Sequence, residues 1–284
     1  VTFRALPAVK RVGHLLFSNF GSLVRLTAFW LSVVLSLAGF SLFAPYNLGG
    51  MLRYFDYATS LYVVLAVAVL IAAVGLYAYS AVSIAIHRRL LLEASSDCGV
   101  VFPEFKITLR YVANIIGIII FFIIYTYFFK FMYEVMAGVV KGPLEHDLGI
   151  KLTDYLPKRL MVEAAGLAGI IGFFYCMARL TVHLPAIAIG RKDYGAEEGF
   201  LDSIGKFVQL LVFVILVRVM PTMLCFWLTS SIGSLEIGFG DLRAGSLWRL
   251  LVFFVQVVLW WSNLVIGIVA TTVLYERLGR GQEN

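Results

Sequence analysis

The chain has 284 residues, of which 61% are hydrophobic and 14% charged, with a formal net charge of +6. An ordinary soluble domain carries about 25% charged residues, so this composition excludes a typical water-soluble enzyme and makes a bilayer the expected solvent. The positive charge sits beside apolar runs and forms no basic groove with stacking aromatics, which favours anionic lipid headgroups as partners and argues against nucleic acid.

A hydrocarbon core about 30 Å thick takes about 20 helical residues to cross, and six runs reach that length. The chain opens on VKRVGHLLFSNFGSLVRL, Val9 to Leu26, whose mixed apolar and basic pattern predicts an interfacial amphipathic helix that bends into the membrane, with His14 on its surface. The first span, 24 to 44, follows Arg4, Lys10 and Arg11 with no small-residue cleavage pattern behind it, so a retained helix is expected and not a signal peptide. Val1 fits a bacterial GTG start codon translated literally, or a trimmed chain. The second span covers 60 to 86 and ends in IAIHRRLLLE. A second approach, PEFKITLRYV, leads into the third span at 111 to 135. The fourth, 160 to 181, runs out through ARLTVHLPAIAIGRK, and a third approach, LDSIGKFVQLL, opens the fifth at 207 to 232. The sixth, 248 to 274, ends in VLYERLGRG.

The expected fold is all-α: a polytopic transmembrane bundle, one domain over 1–284, with six spans as three helical hairpins (1–92, 93–192, 193–284), each introduced by an interfacial amphipathic helix. Basic residues set the orientation. With the N-terminus inside, Arg88, Arg89, Lys106, Arg110, Arg191, Lys192 and Arg277 join the N-terminal cluster on one face. They outweigh the outer basic residues, which concentrate in the loop at 136 to 159. The expected address is a bacterial inner membrane with both termini cytoplasmic.

This layout carries HRRLLLE after the second span, Arg179-Leu180 and Leu184-Pro185-Ala186 at the end of the fourth, and a Leu-Tyr-x-x-Leu from Leu274 to Leu278. In these respects it resembles the YciC-like proteins and the membrane domain attached to some glycerophosphodiester phosphodiesterases. The resemblance implies a polytopic architecture and a membrane address, and no activity, since no phosphodiesterase domain lies within these residues.

Arg218 and Pro221 are the sharpest candidates for a site. Arg218 lies eleven residues into the fifth span, about 16 Å deep at 1.5 Å per residue, where an unpaired charge is costly and usually faces the bundle interior or a wet cavity. Pro221 removes an N–H one turn later and frees a carbonyl at Val217. Gln256 of the sixth span is the expected partner of Arg218. At the inner ends, His87, Arg88 and Arg89, and Arg179 with His183, are candidates for lipid headgroups, with interface anchoring as the plainer alternative. Lys130 and Glu134 read as an interfacial pair one turn apart. Glu163, inside the fourth span, is a weaker polar candidate. In that span Ala165 with Gly169 and Ala168 with Gly172 form small-xxx-small pairs, and the Ala-rich second span is their expected companion.

No catalytic or cofactor motif is present. Gly238 to Asp241 spells GFGD, yet intramembrane aspartyl chemistry needs two carboxylates within the membrane, and only Asp56 of another outer loop is available. The four histidines, at 14, 87, 146 and 183, lack metal-ligand spacing. Cys98, Cys176 and Cys225 form no disulfide framework. Trp260 and Trp261 are expected to face lipid or a neighbouring subunit. The functional expectation is a multi-pass protein without catalytic activity, a scaffold or assembly component in contact with anionic lipid, with a membrane partner or a second copy as the candidate protein contacts. A transporter or channel component built on Arg218 and Pro221 is the alternative, and a lipid-modifying enzyme a distant third. Transport predicts a hydrated cavity at Arg218, a scaffold predicts that residue bonded to a partner side chain, and a lipid enzyme predicts polar groups converging around His87, Glu93 and His183.

Overall fold

The computed structural model describes residues 3–52, 57–92, 103–148, 156–191, 194, 197, 206–238 and 245–278; within these, side chains at 37–61, 133, 136–165 and 232–250 lie outside the described set. Every regular element among the described residues is helical. The helices are α1 (Ala5–Ser18), α2 (Phe20–Leu52), α3 (Tyr57–Leu92), α4 (Phe105–Leu148), α5 (Leu156–Thr181), α6 (Leu184–Ala188), α7 (Phe207–Val214), a π-turn (Ile215–Val219), α8 (Met220–Gly238) and α9 (Gly245–Leu278). Five segments are long and apolar enough to cross a bilayer alone: Tyr62–Leu92, Phe105–Met132, Gly166–Ala188, Phe207–Ser231 and Leu251–Leu278. A sixth qualifies when α1 and the first part of α2, bent by 72°, are taken together.

The distribution of side chains is the one an apolar solvent would favour. Ile119, Ile120, Ile123, Ile124 and Phe128 of α4 are exposed, while Ser80, Ser83, His87, Thr271 and Thr272 are buried. Lipid tails are as apolar as Leu, so burial of Leu gains little, and the interior collects small residues and polar groups that need partners.

α1 is the helix expected from its sequence, but its apolar stripe is used differently. Ala5, Ala8, Val12 and Leu15 recur on one face and pack against α9 and α7. Phe3 meets Phe213 edge to face at 6.0 Å, the Ala5 N–H donates to Gln209 Oε1 at 3.1 Å, and Arg11 pairs with Glu276 at 3.6 Å. The buried stripe therefore docks on protein, and the opposite side, with Leu6 and Phe17, is left exposed. The second approach segment is not a separate interfacial helix either: from Phe105 it is the continuous start of α4. The third lies partly outside the described residues and is helical from Phe207.

The end of the bundle that holds Arg88 and Gly190, the inner end on the expected topology, is organised by α6. α5 stops at Thr181, and Pro185 begins a short helix whose five residues are all buried, in contact with α3, α4 and α9. It ends in a Schellman turn: Arg191 N–H donates to Ala186 O at 2.9 Å and Gly190 N–H to Ile187 O at 3.0 Å, with Gly190 at φ 83°. That left-handed position is the reason for glycine there. Arg88 Nε then donates to Ala188 O at 2.7 Å and satisfies a carbonyl the helix end leaves open.

α5 does not pair with the second span as expected; its extended contacts are with α4 and the α7/π-turn segment. Gly169 lies under the ring of Phe129, where a Cβ would overlap the ring, and Gly172 lies against the Tyr125 hydroxyl. Tyr125 donates that hydroxyl to Gly169 O at 3.2 Å. Ala168 is exposed, and the Ala165 side chain lies outside the described set. The two glycines thus open notches that aromatic rings of α4 fill, and the added dispersion contact takes the place of a second small stripe. The second span packs instead on α2 and α9, with α4 and α6 beside them, and its Ala78 and Ala81 are buried. Lys130 and Glu134 form the expected exposed pair at 3.8 Å. Trp260 is exposed and Trp261 partly buried against the core. The side chains of Glu163 and His146, and residues Cys98, Asp56, Glu93 and Asp241, lie outside the described set.

Gly169→Leu should therefore lower stability in detergent by about 1–3 kcal/mol, the range for overpacking a tight contact. Phe129→Ala should recover part of that loss in the double variant, which a thermal melt of the purified proteins will check.

Candidate functional site

Helical spacing sets a row of polar groups on one side of α3: Tyr79, Ser80, Ser83 and His87. Tyr111 of α4, Thr271 and Thr272 of α9 and Arg218 of the π-turn complete a cluster in the inner half of the bundle. His87 is its centre. Its Nδ1 lies 2.8 Å from Thr272 Oγ1 and its Nε2 3.1 Å from the Tyr111 hydroxyl. Thr272 already donates its hydroxyl hydrogen to Ile268 O at 3.0 Å, so its oxygen accepts from Nδ1–H. Nε2 is then the acceptor, and Tyr111 donates to it. A neutral ring fills both roles, and this assignment follows from the network. Ser83 Oγ sits near the Tyr111 hydroxyl, buried and without a hydrogen bond of good geometry.

Arg218 belongs to the same cluster. Its Nη2 donates to Thr271 Oγ1 at 3.1 Å, and Thr271 donates in turn to Gly267 O at 2.9 Å. A Cβ at position 267 would overlap the guanidinium, so Gly267 is the notch that admits it. The phenols of Tyr79 and Tyr111 are close enough to interact electrostatically with its charge. Pro221 explains the π-turn just before it: the ring presses on the carbonyl of Val217 and offers no N–H, and one wide turn relieves both conflicts. π-turns of this kind are frequent at functional positions.

Gln256 is not the partner of Arg218. Its Nε2 donates to Thr229 O at 3.3 Å. Asn263 Nδ2 donates to Thr222 Oγ1 at 3.1 Å, and Gly267 faces Arg218. These three pairs step in opposite directions by equal amounts, which is the register of two neighbouring antiparallel helices. Depth estimated from the two hydropathy edges missed this, because both helices run past the apolar stretch by different lengths.

The five headgroup candidates separate. His87 faces inward, as above, and Arg88 caps α6, with Glu104 4.0 Å from its Nη2. His183 is buried, and its Nε2 lies 3.0 Å from Asn114 Oδ1. These three are engaged by protein, because the turn into α6 folds the inner end of the fourth span back over α3 and α4. Arg179 lies over the Tyr175 ring at 5.7 Å, and Arg179 and Arg89 are both partly buried with partners. Sequence reading missed Tyr111, Gly267, Thr271 and Thr272. A threonine near the end of an apolar helix carries no signal until its neighbour is known.

The groups that converge are hydroxyls, one imidazole and one guanidinium, an arrangement suited to locking helices at a fixed register. Among the described residues no three His, Cys, Asp or Glu side chains gather as a metal site would need. The chain matches no family model, no curated protein and no solved structure. Its site must therefore be judged on its own geometry, and the resemblance to YciC-like proteins gains no support.

His87→Ala should destabilise the protein by about 1–3 kcal/mol, since it strands two buried hydroxyls. Combined with Thr272→Val the loss should fall short of the two single losses added together, by about 0.5 kcal/mol or more. Melting of the two single variants and the double variant measures this directly.

Proposed function

We propose that the chain is a multi-pass protein of a bacterial inner membrane, with six spans in three hairpins and both termini cytoplasmic, that scaffolds or assembles membrane components without catalytic activity of its own. The observation that carries this reading is the bond of Arg218 to Thr271 in the Gly267 notch. The sharpest functional candidate of the sequence is tied to a side chain of the next helix, as a residue that sets helix register would be. The ladder from Arg218 through Thr222 to Thr229 supports the same reading, because it gives one register to α8 and α9. Anionic lipid as a partner is supported by exposed Lys10, Arg25, Lys106 and Arg110 beside exposed Phe17, Phe20 and Phe105. The exposed apolar faces of α4 and α8 leave room for a membrane partner or a second copy.

A transporter or channel component is the second reading, favoured by the π-turn that carries Arg218. A lipid-modifying enzyme has less support: His87 and His183 turn to different partners, Thr272 with Tyr111 and Asn114.

Arg218→Ala should reduce folded yield in detergent, with a stability loss of about 1.5–3 kcal/mol for a charge-assisted hydrogen bond. Arg218→Lys should restore it only in part, and Gly267→Leu should resemble Arg218→Ala. Growth of cells carrying each variant should track yield. Variants that fold at wild-type yield yet fail to support growth would move the conclusion to transport.

A further inference from the structure

Beside the polar cluster, on the outer side of α4, lies a cleft of about 310 Å³ lined by Ala113, Asn114, Gly117, Phe121, Leu180 and His183, with Ile118 at its floor. That volume is at the small end of ligand clefts, which run from about 300 Å³. Its composition changes along its length. At the inner end stand the only polar side chains of its lining, Asn114 and His183, joined at 3.0 Å. Toward the middle of the helix the lining is Gly117 and Phe121, and Gly117 has nothing within 4 Å of where a Cβ would stand. The α4 surface around it, Ile116, Ile119 and Ile120, is exposed.

Asn114 uses its Oδ1 for His183 and one Nδ2 hydrogen for Arg110 O at 2.8 Å. One hydrogen of Nδ2 remains, and Asn114 shows no further bond among the described residues. Arg110 lies one turn toward the inner end on the same stripe of α4 and is exposed, and Lys106 lies another turn beyond, also exposed. Neither makes an ion pair among the described residues. A hydrogen-bond donor, then two cations, sit at one end of an apolar trough open to the lipid side. This order matches an amphiphile with a negatively charged head: a phosphate oxygen at Asn114 and Arg110, and one acyl chain along Gly117 and Phe121.

We propose that this cleft is a binding site for one anionic phospholipid of the leaflet at the Arg110 end of α4. The proposal rests on the membrane-embedded reading above and deepens its lipid contact into a defined site. It also assigns the polar end to Asn114 and Arg110, with His183 as the positioning residue that holds the Asn114 amide.

The test is native mass spectrometry of the purified full chain in detergent with phosphatidylglycerol, and with phosphatidylcholine of the same chains. Membrane fractionation of the expressed protein is the separate check on the embedded reading, since failure there would sink that reading whatever the lipid data. Wild type is expected to retain one phosphatidylglycerol with at least threefold preference over phosphatidylcholine. Arg110→Gln should abolish the preference while keeping residual binding of both lipids. Gly117→Leu should fill the trough and remove the bound lipid of either kind. Should Gly117→Leu fold poorly, Ala113→Leu obstructs the same cleft from an exposed position and is expected to do the same. Competition by inorganic phosphate without loss of acyl-chain dependence keeps the site a lipid site; full binding of phosphate alone, independent of lipid, overturns it. Retention of phosphatidylglycerol at wild-type level by both cleft-filling variants also overturns it. So does a change in oligomeric state in those variants with lipid binding intact, which would mean that the cleft takes a partner helix.

Discussion

Most polar groups that enter the apolar part of this protein find a partner on another helix, or in the turn behind it, where apolar surroundings would offer none. This constraint orders the inner half of the bundle. His87 draws α3 to α9 through Thr272 and to α4 through Tyr111. Arg218 draws the π-turn to α9 through Thr271, and Arg88 draws α3 to the end of α6. Five segments are thus joined by hydrogen bonds whose loss would leave buried donors or acceptors unmet, at a cost of about 1–3 kcal/mol for each.

Small residues make those bonds possible. Gly267 admits the guanidinium, Gly169 the ring of Phe129, and Gly190 the left-handed turn that ends α6. The first two are an absence of Cβ opposite a charged or large group, and the third is a backbone conformation that a Cβ would strain. The π-turn is a related device: one wider turn accommodates Pro221 without breaking the helix, and it carries the only Arg of that span among the described residues. The same geometry explains why the polar ladder along α8 and α9 is regular, with Arg218, Thr222 and Thr229 meeting Gly267, Asn263 and Gln256.

The functional reading grows from what these groups do to one another. Histidine and arginine at the inner ends of apolar helices suggest headgroup contact when read one helix at a time. Placed in the bundle, His87, Arg88 and His183 turn to protein partners, and Arg4, Lys10, Arg25, Lys106 and Arg110 are among the basic residues left exposed. A scaffold needs a fixed register inside and a charged rim outside, and this division of the basic residues suits it. The cleft beside Asn114 lies where the two zones meet.

Composition and hydropathy alone determined that the chain is helical and apolar enough for several membrane crossings, because a run of about 20 apolar residues is a local property that needs no partner. They also marked Arg218 and Pro221, since a charge and a helix breaker in such a run stand out against their own neighbours. Only the tertiary structure decided what those residues touch. Gln256 was a reasonable mate for Arg218 by depth, but the register of the two neighbouring helices gives that place to Gly267 and Thr271. The face of α5 that looked ready for another Ala-rich helix receives the aromatic rings of α4 instead. α6 was invisible as a separate helix, and with it the inward turn of His183 and the capping role of Arg88. Which face of a helix is covered, and by what, depends on contacts between residues far apart in the chain, and a hydropathy pattern carries no record of them.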